Sequence, residues 1–155
     1  ILRNPIQAIV EFNVKADLLS AGFDDKKEAA YLIEEALEPY DVSYLGKLLC
    51  LDLDKGNSHK HVARGIIANV LPSKEPMTKV ETIDKYIDAI VFAVGALAKQ
   101  GLSHQDISQL INVVNECNMK KLLAGKDSEG KQMKPTDWVG PEEKIYNHLL
   151  KRDLL

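Results

Sequence analysis

Hydrophobic and polar positions alternate with a helical period over most of this chain. Asn4-Pro5 is a helix start, a side-chain cap followed by proline at the first helical position. Ile6, Ile9, Val10 and Val14 continue at helical spacing toward Gly22. A second helix begins at Asp24 or Asp25 and runs through KKEAAYLIEEALE to Pro39, which cannot donate the next backbone bond. From about Lys79 to Gln100 the spacing predicts a long helix, closed by Gly101 as its C-cap. Ser103-His104-Gln105-Asp106 reads as a capping box with aspartate in the usual glutamate position. It opens a helix that carries Ile107, Leu110, Ile111, Val114 and Cys117 and stops at Gly125. KDSEGKQMKP is a polar, lysine-rich loop, and Pro141-Glu142-Glu143 starts a short final helix with acids in its first turn. The pattern predicts an all-α bundle of about five helices.

The stretch between the second and third of these helices is less regular. LCLDLDKGN alternates apolar and acidic residues like a strand that meets a turn at Gly56-Asn57. HVARGIIANVL then reads as helix, and Pro72 and Pro76 interrupt the chain after it. Residues 41–79 are therefore expected to form an insertion packed beside the core of a single domain spanning 1–155.

Composition narrows the class without naming a function. The 155 residues are 45% apolar and 28% charged, ordinary values for a folded domain. Lys and Arg number 20 against 23 Asp and Glu, a formal charge of -3, which lacks the basic excess of a nucleic-acid binder. A small phosphorylated ligand held by a few lysines remains compatible with that balance. The longest apolar run, AIVFAVGALA at 89–98, is far short of the roughly 20 residues of a membrane span. Cys50 and Cys117 have no CxxC spacing and read as reduced, buried thiols of a cytoplasmic protein.

Two carboxylate clusters carry the candidate chemistry. On the second helix Glu34, Glu35 and Glu38 fall within an arc of roughly 100°, with Leu32, Ile33, Ala36 and Leu37 on the opposite face. Alone, that is an amphipathic helix with a solvated acidic side. On the long helix Glu81, Asp84 and Asp88 lie within about 60° and lead into turns that are apolar all round, the mark of a helix surrounded by protein. Carboxylates there need a cation or donors to offset desolvation, and no run of Lys or Arg stands nearby. The competing reading is an acid-enriched first turn that complements the helix dipole. Hard oxygen ligands suit Mg²⁺ or Mn²⁺ rather than zinc, and magnesium points to phosphate chemistry. Ligands at i, i+3 and i+4 on two helices converge in carboxylate sites built within bundles, which puts the expected active site between these two helices.

In this order the residues resemble a known family. E34-E35-A-L-E38 followed by E81-T-I-D84 resembles the EExxE…ExxD signature of the MazG-like, all-α nucleoside triphosphate pyrophosphohydrolases. N118-M-K-K121-L and G130-K131-Q-M-K134-P-T-D-W138-V-G-P141 are similar to the Asn/Lys segment and closing loop of a branch of them. The stretch between Glu38 and Glu81 is longer than in compact members.

The resemblance implies hydrolysis of an NTP or dNTP to the monophosphate and pyrophosphate, as nucleotide-pool housecleaning. Glu35, Glu38, Glu81 and Asp84 would be the Mg²⁺ ligands, and Glu34 would serve a further metal or orient the water. Glu34 or Glu35 would take its proton. Asp88 stands behind the ligands, among the substrate-binding residues. Asn118 and Lys121 share a helix face, and Lys121 with Lys131 or Lys134 would meet phosphate oxygens. Asn13 is a further base contact, and Trp138 is either a stacking platform or a hydrophobic anchor. Family members assemble as homodimers or homotetramers. The alternative is a non-catalytic helical module of the same fold that binds a nucleotide or a protein.

Other patterns carry less. Asp52-x-Asp54-x-Gly56 lacks the third acidic position and distal glutamate of a calcium loop. His59 and His61 are two apart and would not share a helix face. GxxxxGK[ST], GxSxG and zinc-ligand spacings do not occur.

Overall fold

The computed structural model describes residues 4–53, 58–71, 75–128 and 130–155. Among them are seven α-helices, more than the five expected: α1 (Pro5–Lys15), α2 (Asp25–Leu37), α3 (Ser43–Leu48), α4 (Ser58–Gly65), α5 (Lys79–Lys99), α6 (His104–Lys120) and α7 (Glu142–Lys151). A π-helical turn, Ile66–Val70, extends α4, and a 3₁₀ turn, Lys121–Leu123, extends α6. The described residues form no strand; Lys126 and Gln132 make one isolated antiparallel bridge. No helix is long and apolar enough to cross a membrane among the described residues.

Caps set most boundaries. Asn4 accepts from the backbone N–H groups of Ile6 and Gln7, and Asp24 from those of Lys26 and Lys27. Ser103 and Asp106 complete the expected capping box, and Thr78 with Glu81 forms a second one at the start of α5. Helix ends are less orthodox. α1, α3 and α7 each close with the paired backbone bonds of a Schellman turn, but the left-handed position is taken by Asp17 (φ 51°), Cys50 (φ 53°) and Asp153 (φ 52°) instead of glycine. α1 thus stops well before Gly22, and α6 gives way to its 3₁₀ turn before Gly125.

The chain divides into two compact units, Ile1–Ala21 with Thr78–Leu155, and Gly22–Met77. In the first, α6 is the central helix and α1, α5 and α7 pack on it. The buried Asn115 Nδ2 of α6 donates to the Ala8 carbonyl of α1 at 2.9 Å, and Ala8 and Cys117 are buried. Ile6, Val10 and Val14 of α1 face outward.

In the second unit α4 is central, packing on α2 and α3, with Val62 and Ala63 fully buried. The expected strand at LCLDL is absent. Leu49 and Cys50 end α3, and the chain then lays leucines on glycines: a Cβ on Gly46 would strike Leu53, and one on Gly65 would crowd Leu51 and Leu49. The alternation reflects a helix end followed by leucine packing, not sheet pairing. The predicted turn at Gly56-Asn57 and the break at Pro72 lie outside the described residues. Cys50 is exposed, contrary to the buried thiol expected, whereas Cys117 is buried; both are free.

Candidate functional site

The carboxylates of α2 belong to the unit Gly22–Met77, and those of α5 to the other. On α2, Ala30 is buried and Ile33 and Leu37 are half-buried toward the α4 side. Leu32, 47% exposed, and Ala36 lie outside that core, so the face expected to be uniformly buried is split. Glu34 is half-buried, and Glu35 and Glu38 are exposed, Glu38 standing as the C-cap just before Pro39.

On α5 the picture differs more from expectation. No residue of this helix is buried, and Asp84 and Asp88 are exposed. The desolvation argument for a cation at these positions does not operate in the single chain, because water already reaches the carboxylates. Glu81 has a defined local task. Its Oε2 accepts from Thr78 N at 2.7 Å and from Thr78 Oγ1 at 2.8 Å, closing the capping box. These bonds hold its carboxyl below the ordinary value, so it is ionised. Among the described residues no group of three or more His, Cys, Asp or Glu converges as a metal site. The donor chemistry of Glu35, Glu38, Glu81 and Asp84, all carboxylate oxygen on exposed side chains, suits a hard divalent cation.

The lysine segment is built more tightly. Trp138 Nε1 donates to the Cys117 carbonyl at 3.0 Å, which fixes the indole against the last turns of α6. Lys121 Nζ lies 5.0 Å and Lys134 Nζ 4.5 Å from the centroid of that ring. Lys121 caps the end of α6, and Lys134 arrives from the loop 13 positions on. Gln132 holds the loop in place, its Nε2 directed at the carbonyls of Lys121 (2.6 Å), Ala124 and Gly125 (3.1 Å). The Asp127 carboxylate accepts from the Lys131 N–H at 2.9 Å, and Gly130 supplies a left-handed φ of 79°. Two of the sequence-predicted substrate lysines therefore share one aromatic ring, and half-buried Asn118 stands one helical turn before Lys121. Asn13 bonds instead to the Ile9 carbonyl of its own helix at 2.9 Å.

One polar centre is only half marked in the sequence. Asp106 is buried, and beyond its capping-box bonds to Ser103 its Oδ1 accepts from His148 Nε2 at 2.9 Å and Arg152 Nε at 3.0 Å. This carboxylate pins α7 to the start of α6. The capping box marks Asp106 itself; nothing in the sequence links it to residues more than 40 positions away.

Compared with protein-family models, with characterised proteins and with solved structures, this chain matches none.

Proposed function

We propose that the chain is a Mg²⁺-dependent nucleoside triphosphate pyrophosphohydrolase of the MazG-like type, releasing pyrophosphate and a nucleoside monophosphate and acting as a cytoplasmic homodimer or homotetramer. The observation that carries this reading is the meeting of Lys121 and Lys134 on Trp138. Two positive charges on one anchored ring concentrate potential suited to a polyphosphate, and they come from the two segments that resemble the family's substrate side. The all-α fold and the motif order of the carboxylates add to it.

In this reading Glu35, Glu38, Glu81 and Asp84 would hold the metal, which supplies charge neutralisation on the triphosphate and a more acidic water. Glu34 or Glu35 accepts the proton as water oxygen bonds to the α-phosphorus and the bond to the bridging oxygen breaks. Lys121 and Lys134 hold phosphate oxygens, and Asn118 and Asp88 orient the nucleotide. The deciding experiment is a pyrophosphate-release assay over all NTPs and dNTPs with Mg²⁺ and with EDTA. Metal-dependent release from at least one nucleotide supports the enzyme; none from any nucleotide removes it.

The non-catalytic nucleotide- or protein-binding module has one observation in its favour. Glu81 is already engaged as a cap, a role that needs no metal. Nucleotide-dependent thermal stabilisation without turnover would support that second reading.

A further inference from the structure

α7 runs back along α6, and the two are tied at both ends of their contact. At one end Trp138 Nε1 donates to the Cys117 carbonyl at 3.0 Å, just before the Pro141 cap of α7. At the other, His148 Nε2 and Arg152 Nε both donate to Asp106 Oδ1, at 2.9 Å and 3.0 Å. Asp106 and Cys117 stand about 16 Å apart along α6, at a rise of roughly 1.5 Å per residue. Between the ties Lys144 Nζ lies 3.7 Å from Glu116, but both side chains are exposed and such a pair adds little.

The two ties differ in kind. No residue of α7 is buried, so little apolar burial holds the helix, and the single indole bond gives only a modest net stabilisation. Asp106 is itself buried, and a buried carboxylate stripped of donors is left poorly solvated, so this tie is the firmer one. We propose that Asp106 is a positioning residue for the lysine pair: by fastening α7 through His148 and Arg152 it keeps Trp138 on the Cys117 carbonyl, and so keeps Lys121 and Lys134 on the ring. Only Val139 and Gly140 separate Trp138 from the α7 cap, so a docked α7 delivers the indole to its acceptor. With α7 released, the indole is held only from the loop side, where Gln132 bonds to the end of α6. The coupling stands on hydrogen bonds within one compact unit; its service to a nucleotide rests on the proposed function.

Trp138 is the single tryptophan of the chain, so its fluorescence reads the far tie directly. The double variant His148→Ala/Arg152→Ala removes both donors and leaves the Ser103–Asp106 capping box in place. In the whole chain, acrylamide quenching of Trp138 should rise about twofold and its emission shift to the red, as local opening exposes a half-buried ring. Helical circular dichroism should be largely kept. Val62→Ala, which weakens the core of the other unit, should lower stability and leave both fluorescence signals at their wild-type values. The measurement needs no turnover, so a negative pyrophosphate assay removes the nucleotide and not the coupling. A double variant quenched like the wild type would overturn the proposal, as would a Val62→Ala chain whose tryptophan signals move as far as those of the double variant.

Discussion

Trp138 and Cys117 are joined by one hydrogen bond, indole N–H to backbone carbonyl at 3.0 Å, and that bond decides where two lysines stand. The ring is held against the end of α6, so the ammonium groups of Lys121 and Lys134 find it at 5.0 Å and 4.5 Å. An aromatic anchor and a charge site are thereby the same feature. Under the proposed function, Trp138 would serve a nucleotide without stacking on its base.

The first prediction rests on that geometry. Lys121→Ala and Lys134→Ala should each lower kcat/KM by about ten- to a hundredfold, the worth of one charge-assisted bond of about 1.5–3 kcal/mol. Lys120→Ala, exposed at the end of α6 and not among the proposed substrate residues, should change little. Lys126 looks from sequence like an inert loop lysine, yet its Nζ donates to the Asp17 carbonyl at 2.8 Å. Lys126→Ala should therefore cost about 0.5–1.5 kcal/mol of stability while kcat/KM holds. Equal losses of activity at Lys120 and Lys121 would point to a diffuse field instead of a site.

A second prediction separates ligand from cap at Glu81. Glutamine preserves the reach-back acceptor of the capping box but is a poor ligand for a hard cation. Glu81→Gln should melt within about 0.5 kcal/mol of wild type and lose turnover. Glu38→Gln and Asp84→Asn, on exposed side chains, should do the same. Unchanged melting with unchanged pyrophosphate release in all three would leave Glu81 as a cap and the acidic faces as solvated surface.

What the sequence made legible was local. Asn4, Asp24 and Ser103 announce helix starts because a capping side chain acts within three positions of itself, and Pro141 does so through its fixed φ. Pro39 ends α2 for an equally local reason. Apolar periodicity identified α1 and α5 as helices but not what covers them: Ile6, Val10 and Val14, and Ile83, Ile87 and Ile90, all lie exposed in the single chain. At the candidate site, Lys121 and Lys134 were visible as residues, while their meeting on Trp138 depends on Gln132 folding the loop back, a long-range event with no periodic signature. Helix ends were misjudged where glycine was taken as the stop signal: Asp17 closes α1 ahead of Gly22, and α6 passes into its 3₁₀ turn ahead of Gly125.

Cys50 leads to a third prediction. Its left-handed backbone costs a non-glycine residue about 1–2 kcal/mol, and the two Schellman bonds around it hold it there. Glycine removes that strain and gives back about 0.4–1 kcal/mol through a freer unfolded chain. Cys50→Gly should therefore be stabilising by roughly 0.5 kcal/mol in urea melts, and Cys50→Val clearly destabilising. A destabilised glycine variant would mean that the thiol side chain contributes more than its exposure suggests.

The last prediction concerns pH and the docking of α7. Asp106 accepts from Ser103, His148 and Arg152, and these bonds, those from Ser103 foremost, hold its carboxyl well below the ordinary value of 3.8. A carboxylate lowered on folding stabilises the native state above its unfolded pKa, and that contribution disappears as pH falls through the folded value. Between pH 7 and about 4.5 the Asp106 contribution should therefore be fully present. Below that it should decline, with wild-type stability falling more steeply than that of Asp106→Asn, which has no charge to lose. Hydrogen exchange supplies the local readout. In Asp106→Asn the amides of Leu149, Leu150 and Lys151, in the last turn of α7 beside His148 and Arg152, should exchange faster at neutral pH, while those around Val62 in the other unit keep wild-type protection. If α7 stays fully protected in Asp106→Asn and the two acid limbs coincide, the carboxylate serves only as the cap of α6 and α7 is held by its apolar side.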